Sequence, residues 1–202
     1  MINRYSDVGV VFFGPPGSGK GTQAESFEKE GFAILGTGVL LRIKCGEDPI
    51  FNNKYGPTMN AGKLLPDEVV TGVFKSYFKK LPSKQNWVMD GFPRTVGQYK
   101  DVRGTLLEKN KKHPIVVVIF QLTKKLDQIL LKRVLTRGAT ESGRKDDNRK
   151  SFLRRLKEYR RNAPEIISAI KRDHFTIVEI DPMLSKEEIK GLIWEAVYST
   201  KR

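Results

Sequence analysis

The sequence predicts an α/β fold of three layers, a five-stranded parallel sheet between helices on both faces. Three observations lead there. Five apolar, largely β-branched or aromatic segments (10–13, 32–35, 87–89, 115–122 and 175–180) alternate with helical segments, the pattern of a parallel sheet with crossover helices. The first strand runs directly into a glycine-rich turn and then into good helix formers. The second and third strands are separated by roughly 50 residues, more than one crossover helix requires.

The elements follow in order. Val10, Val11, Phe12 and Phe13 form an unbroken apolar run, as expected of a strand buried on both faces. After the second strand, 37–45 reads as a short helix. Across 67–81, Val69, Val70, Val73, Phe74, Tyr77 and Phe78 make a helical stripe. The long connection is read as an inserted helical lobe over one sheet edge. Residues 137–148, rich in Gly, Ser, Asp and Arg, have almost no apolar side chains and read as a surface flap or short lid. Beyond it, Phe152, Leu153, Leu156 and Tyr159 form a helical apolar face. Asn162-Ala-Pro-Glu165 reads as a break and restart, with Asn162 as N-cap and Glu165 at the capping-box position, and hence as a hinge. The last helix, 185–198, carries Ile189, Leu192, Ile193 and Val197 at core spacing. The expected organisation is one domain, with a core of 1–36, 66–136 and 149–202, a lobe of 37–65 and a lid of 137–148. No repeat or low-complexity tract interrupts it.

Composition narrows the function. A chain of 202 residues is long enough for a proper core. No apolar stretch approaches the roughly 18 residues of a membrane span. The polar N-terminus lacks an apolar signal core. Cys45 is the single cysteine, so an internal disulfide and a cysteine-cluster zinc site are excluded, and a reducing cytoplasmic setting is expected. His113 and His174 lie far apart, each beside a strand start, and read as structural or surface residues. The net charge is +14, and 124–172 alone holds sixteen Lys/Arg against six Asp/Glu. Such an excess suits a nucleic acid, or a site gathering several small-molecule phosphates.

The turn after the first strand speaks for bound nucleotide phosphates. Gly14-x-x-x-x-Gly19-Lys20 is the phosphate-loop pattern. Glycines let the backbone wrap a phosphate with its N–H groups inward, at φ values other residues resist. The helix from Lys20 adds the partial positive charge of its N-terminus. Gly17, Ser18, Gly19, Lys20, Gly21 and Thr22 are therefore the expected triphosphate cradle, with Lys20 reaching the β- and γ-phosphates. Gly21 stands where Ser or Thr usually follows the lysine, and Thr22 supplies the hydroxyl nearest a metal.

Read further, the chain resembles the nucleoside monophosphate kinase family, and within it the short-flap adenylate kinases. Gly14-Pro-Pro-Gly-Ser-Gly-Lys-Gly-Thr-Gln23, Gly36-Thr-Gly-Val-Leu-Leu-Arg42, Met59-Asn-Ala-Gly-Lys-Leu-Leu-Pro-Asp-Glu68, Asp90-Gly-Phe-Pro-Arg-Thr95 with Gln98, and Ser142-Gly-Arg-Lys-Asp-Asp-Asn148 occur in that family's order and span nearly the whole chain. The resemblance implies ATP and Mg²⁺, with AMP as acceptor and ADP as product. It implies that Arg42 and Arg94 hold the AMP phosphate, while Thr37, Lys63, Leu64, Leu65 and Gln98 frame base and ribose, Gln98 at the adenine edge, with Gly38, Gly91 and Phe92 also in the AMP site. Arg133 and Arg137, four apart on one helix face, would meet the triphosphate. Arg144 from the flap and Arg155 beyond it would clamp the transferring group and the AMP side. Asp90 and Thr22 would hold Mg²⁺, through waters. Asp146 and Asp147 read either as partners of an arginine or as turn residues. The resemblance also implies a monomer.

The chemistry suits these residue types. Joining two polyanions needs many fixed cations and a dry site rather than a general base, since the acceptor phosphate is already ionised. Arginine binds phosphate oxygens in pairs. One position departs from the pattern: Val39 stands where the family has an acid, and the expected consequence is reduced turnover. Two other readings stay open here, a UMP/CMP kinase on the same fold and a catalytically weak P-loop protein binding nucleotide or nucleic acid. The basic segment lacks the interleaved aromatics suited to base stacking, which argues against nucleic acid.

Overall fold

The computed structural model describes residues 8–139 and 147–200. Its elements, in chain order, are β1 (Gly9–Phe13), α1 (Lys20–Glu28), β2 (Ala33–Gly36), α2 (Thr37–Glu47), α3 (Pro49–Asn60), α4 (Asp67–Lys79), β3 (Trp87–Asp90), α5 (Val96–Lys112), β4 (Ile115–Phe120), α6 (Asp127–Gly138), α7 (Arg149–Arg172), β5 (Thr176–Ile180) and α8 (Lys186–Ser199). All five strands are parallel, in the order β2-β3-β1-β4-β5. The predicted α/β class and strand set hold.

Period-two alternation sorts the apolar side chains of the sheet onto two faces. Val11, Phe13, Met89, Val117 and Ile119 join one core with Leu41, Phe74, Val102 and Ile166 from the helices of that side. Val10, Phe12, Val88, Val116 and Val118 face the other way, onto Phe27, Ile189, Ile193 and Val197. There Phe27 of α1 stacks on Trp194 of α8, with centroids 4.6 Å apart. A smaller cluster of Leu126, Leu130, Val134, Phe152 and Leu156 glues α6 to α7.

Three expectations need correction. No break occurs at Asn162: α7 runs unbroken over Arg149–Arg172 with Pro164 inside it. Asn162 is not an N-cap, its Nδ2 donating instead to the Glu158 carbonyl. Pro164 removes one ladder bond, but Ala163, Ile166 and Ile170 are anchored in the core around it, and that burial carries the helix through. Leu153 and Leu192 are exposed rather than core. Each lies on the solvent side of a helix whose stripe is already filled by its neighbours. The connection from β2 to β3 also contains a helix the sequence did not announce, α3, started by Asp48, whose side chain accepts from Phe51 N at 3.0 Å. Among the described residues no helix is long and apolar enough to cross a membrane.

In this topology β1 is central, with the chain leaving it toward β2 and β3 on one side and β4 and β5 on the other. The crevice beyond the carboxyl ends of β1 and β3 is where ligands settle in open α/β sheets.

Candidate active site

The turn after β1 owes its path to three glycines. A Cβ on Gly14 would lie 2.6 Å from Phe120 Cβ, and one on Gly17 (φ 80°) 2.7 Å from the Leu130 carbonyl oxygen. Gly19, at φ 97°, is the N-cap of α1 and brings no side-chain cap to its first turn. The N–H groups of that turn are thereby left for an anion. Lys20 folds back over the loop, donating to the carbonyls of Gly14 at 2.9 Å and Pro15 at 2.7 Å, and lying 3.3 Å from Ser18 Oγ. Burial lowers its ammonium pKa to about 8. Asp90 opposes that shift, and Arg94, Arg137 and Arg155 add to it.

Asp90 closes β3 beside this loop. Its Oδ1 is buried with no hydrogen-bond partner, and its Oδ2 is 3.9 Å from where a Gly21 Cβ would stand. An orphaned carboxylate oxygen next to a phosphate cradle and the Thr22 hydroxyl is a fitting donor set for a hard divalent cation. Gly91 follows at φ 71°. Its carbonyl accepts from Arg94 Nε at 2.7 Å and from Thr37 Oγ1 at 3.0 Å. One carbonyl thus pins the arginine of the third strand's loop and the first residue of α2 together. Arg42, one turn along α2, lays its guanidinium over Gly38, 3.5 Å from that residue's missing Cβ.

Opposite, α6 presents Arg133 and Arg137 and α7 presents Arg155. Arg133 Nη1 donates to the Pro182 carbonyl at 2.8 Å. Arg137 grips Asp147 with Nε on Oδ2 at 2.5 Å and Nη2 on Oδ1 at 2.8 Å, and Arg155 Nη2 reaches the same Oδ1 at 3.1 Å. Burial raises the Asp147 carboxyl pKa, but the two guanidinium groups outweigh it and hold it below the usual range.

These groups surround one cavity of about 540 Å³. Of the residues expected from sequence, Gly17, Ser18, Gly19, Lys20, Gly21, Thr22, Gly38, Arg42, Leu64, Asp90, Gly91, Phe92, Arg94, Arg133, Arg137 and Arg155 line it. Thr37, Lys63, Leu65 and Gln98 stand outside its wall: Thr37, Leu65 and Gln98 are buried, and Lys63 is exposed. Arg144 and Asp146, with the path of the flap, lie outside the described residues. Asp147 proves to be an arginine partner rather than a turn filler.

Sequence reasoning missed the wall contributed by Pro182, Leu184 and Lys186, and by Tyr159 and Glu158 of α7. The first three follow β5, and the rule placing ligands at strand carboxyl ends was the available signal. Val39 lies on the wall, 42 % exposed, with no carboxylate to offer.

A family model described as adenylate kinase matches residues 12–174. Curated relatives agree. The chain is 38 % identical over 164 residues to an adenylate kinase of Prochlorococcus marinus (strain NATL1A), covering 81 % of this chain and 84 % of that one. It is 37 % identical over 181 residues to an adenylate kinase of Parasynechococcus marenigrum (strain WH8102), covering 89 % and 93 %. Against the adenylate kinase of Parvibaculum lavamentivorans the identity is 33 % over 196 residues, covering 96 % and 93 %. With a phosphate loop, an arginine-lined cavity and this span of similarity, the chain belongs to the adenylate kinase family and is a nucleoside monophosphate kinase.

Proposed function

We propose that the chain transfers the γ-phosphoryl group of ATP to AMP, reversibly, giving two ADP. The observation that carries this reading is the gathering of Lys20, Arg42, Arg94, Arg133, Arg137 and Arg155 on one cavity, on walls from opposite sides of the crevice. One AMP phosphate oxygen attacks the γ-phosphorus, and the bond from that phosphorus to the β–γ bridging oxygen breaks. No proton need move, because the acceptor oxygen is ionised and the ADP leaving group departs as an anion. The barrier is then mostly repulsion and misplacement, which fixed cations lower.

In this reading the first-turn N–H groups of α1 and Lys20 hold the donor's phosphates, and Arg133 and Arg137 meet the same triphosphate. Arg42 and Arg94 hold the acceptor phosphate, and Arg155 and Arg144 bracket the group in transit. Asp90 and Thr22 would hold Mg²⁺, through waters. The cation supplies charge neutralisation on the donor phosphates when bound. Thr37, Gly38, Lys63, Leu64, Leu65, Gly91, Phe92 and Gln98 frame the AMP nucleoside. Residues 37–65 act as a monophosphate-binding lobe on the core, and the protein works as a cytoplasmic monomer.

The test is Mg²⁺-ATP-dependent phosphorylation of AMP, CMP, UMP and GMP side by side, with the diphosphate products quantified. Strong preference for AMP is expected. Preference for CMP or UMP would keep the transfer chemistry and overturn the base assignment, and no transfer to any acceptor would overturn the reading.

A further inference from the structure

Asp67 lies outside the cavity, in the first turn of α4, and no role above uses it. Both of its carboxylate oxygens are nevertheless committed to the segment that carries Arg94. Oδ2 accepts from Thr95 Oγ1 at 2.7 Å, and Oδ1 accepts from Gln98 Nε2 at 3.1 Å. Thr95 Oγ1 in turn accepts from Gln98 N at 3.1 Å, capping α5. Gln98 Oε1 accepts from Arg94 N at 2.7 Å. The carboxylate reaches this far because residue 97 is glycine, where a Cβ would collide with Asp67 Oδ2.

Donor and acceptor chemistry then fixes the Gln98 amide, which is only 1 % exposed. A carboxylate only accepts and a backbone N–H only donates. The NH₂ end must therefore face Asp67 and the carbonyl must face Arg94. A flipped amide would set carbonyl against carboxylate and NH₂ against N–H, losing two buried bonds. Each end keeps one spare valence, an N–H on Nε2 and a lone pair on Oε1. A donor beside an acceptor is the complement of a 6-aminopurine edge. A 6-oxopurine carries the reversed pattern.

We propose that Asp67 is the positioning residue that sets base discrimination in the monophosphate site, by locking the Gln98 amide in one orientation. This rests on the reading of Gln98 as the residue at the base edge. Asp67 touches no substrate and acts through Gln98, so its signature is a change in preference between acceptors and not in donor binding.

The experiment compares kcat/KM for AMP and for inosine monophosphate at saturating Mg²⁺-ATP, together with KM for ATP. Asp67→Ala is expected to narrow the AMP preference about tenfold, since a site built to hydrogen-bond one pattern loses selectivity when its donor or acceptor is misoriented. KM for ATP is expected to stay within about twofold. Glu68→Ala, which removes the neighbouring exposed first-turn acid of α4, should change neither quantity. In a Gln98→Ala background the Asp67 substitution should add nothing further, the sign of a residue acting through its neighbour. An unchanged acceptor preference in Asp67→Ala, an effect additive with Gln98→Ala, or a matching rise in KM for ATP would overturn the proposal. Should Asp67→Ala fail to fold, Asp67→Asn replaces it; a smaller narrowing supports the proposal, and none overturns it. If Gln98→Ala itself leaves the preference intact, the base-edge reading fails and takes this inference with it. A Gln98 effect without an Asp67 effect sinks the Asp67 role alone.

Discussion

Arg137 and Arg155 sit on different helices, α6 and α7, yet both donate to the same oxygen, Oδ1 of Asp147, at 2.8 and 3.1 Å. Two like charges that would otherwise repel are held side by side by one fully buried carboxylate. Both arginines face the cavity, so the carboxylate presets the spacing of the two cations proposed above to meet the triphosphate and the transferring phosphoryl group. Such preorganisation is a main source of phosphoryl-transfer rate.

Asp147→Asn is the direct test. The amide keeps the shape but loses the charge and one acceptor, and the arginines are freed to separate. A drop in kcat of about 100-fold is expected, with the circular dichroism spectrum unchanged. A kcat within twofold of wild type would show that the two arginines need no preset spacing. Because the folded carboxyl pKa lies below its unfolded value, the stability it contributes is present at neutral pH. That contribution should fall away in acid, as pH drops through the folded pKa.

Lys20 gives a prediction in pH. Its ammonium has a pKa of about 8, so the free protein loses this cation as pH rises through that value. Donor binding needs the protonated form, and kcat/KM for ATP is expected to fall on the alkaline side with a limb near 8. Bound phosphates would raise the pKa again, so the limb in kcat should lie higher. The stability effect has the opposite sign: between about 8 and 10.5 the unfolded chain holds the extra proton, so folding gains as pH rises there. Lys20→Met should abolish the limb and lower kcat by about 100-fold or more. A Lys20→Met enzyme of normal turnover would remove the lysine from the mechanism.

Val39 gives a gain-of-function test. It stands on the cavity wall near the start of α2, at the position where the family resemblance implies an acid. A carboxylate there would add a polar anchor to the cavity wall, where it could order the waters of the proposed Mg²⁺. Val39→Asp is expected to raise kcat several-fold, on the order of 1 kcal/mol of transition-state stabilisation, with KM for AMP little changed. An unchanged or lower kcat counts against this account of the position.

Gly17 tests the loop itself. Its φ of 80° and the Leu130 carbonyl 2.7 Å from its missing Cβ leave no room for alanine. Gly17→Ala should cost about 1–3 kcal/mol, lowering Tm by about 2–12 °C in a chain of this size. Thermal unfolding followed by circular dichroism reads it directly, and an unaltered Tm would mean that the loop relaxes freely.

The sheet was legible because its signals are local. Each strand is a short apolar run bounded by turn or loop residues, the pattern of a strand buried on both faces. The cradle was legible too, since glycines, a lysine and a helix start must be contiguous to wrap a phosphate. Helix outer faces were harder. Leu153 and Leu192 have the spacing of core residues, but which side of a helix is filled depends on what packs against it. Pro164 and Asn162 carry the local signature of a break, and the burial of Ala163 and Ile166 overrides it. Arg154 and Arg155 are neighbours of one type, separable only in space: Arg155 bonds Asp147 beside the cavity, whereas Arg154 Nη1 donates to the Ala61 carbonyl of the lobe.

Sequence alone determined the α/β class, the phosphate-loop pattern and the large basic excess. These are encoded by residues close together in the chain, and by composition. Tertiary structure decided the partnerships. Asp147 is the shared acceptor of two arginines, Asp67 accepts from the Gln98 amide across 31 positions of sequence, and Thr37 meets the Gly91 carbonyl 54 positions away. Hydrogen bonds of that range carry no periodicity and no neighbouring signature. The Thr37–Gly91 bond exists because β2 and β3 lie side by side and end together, and the other two because α4 packs on α5 and α6 on α7.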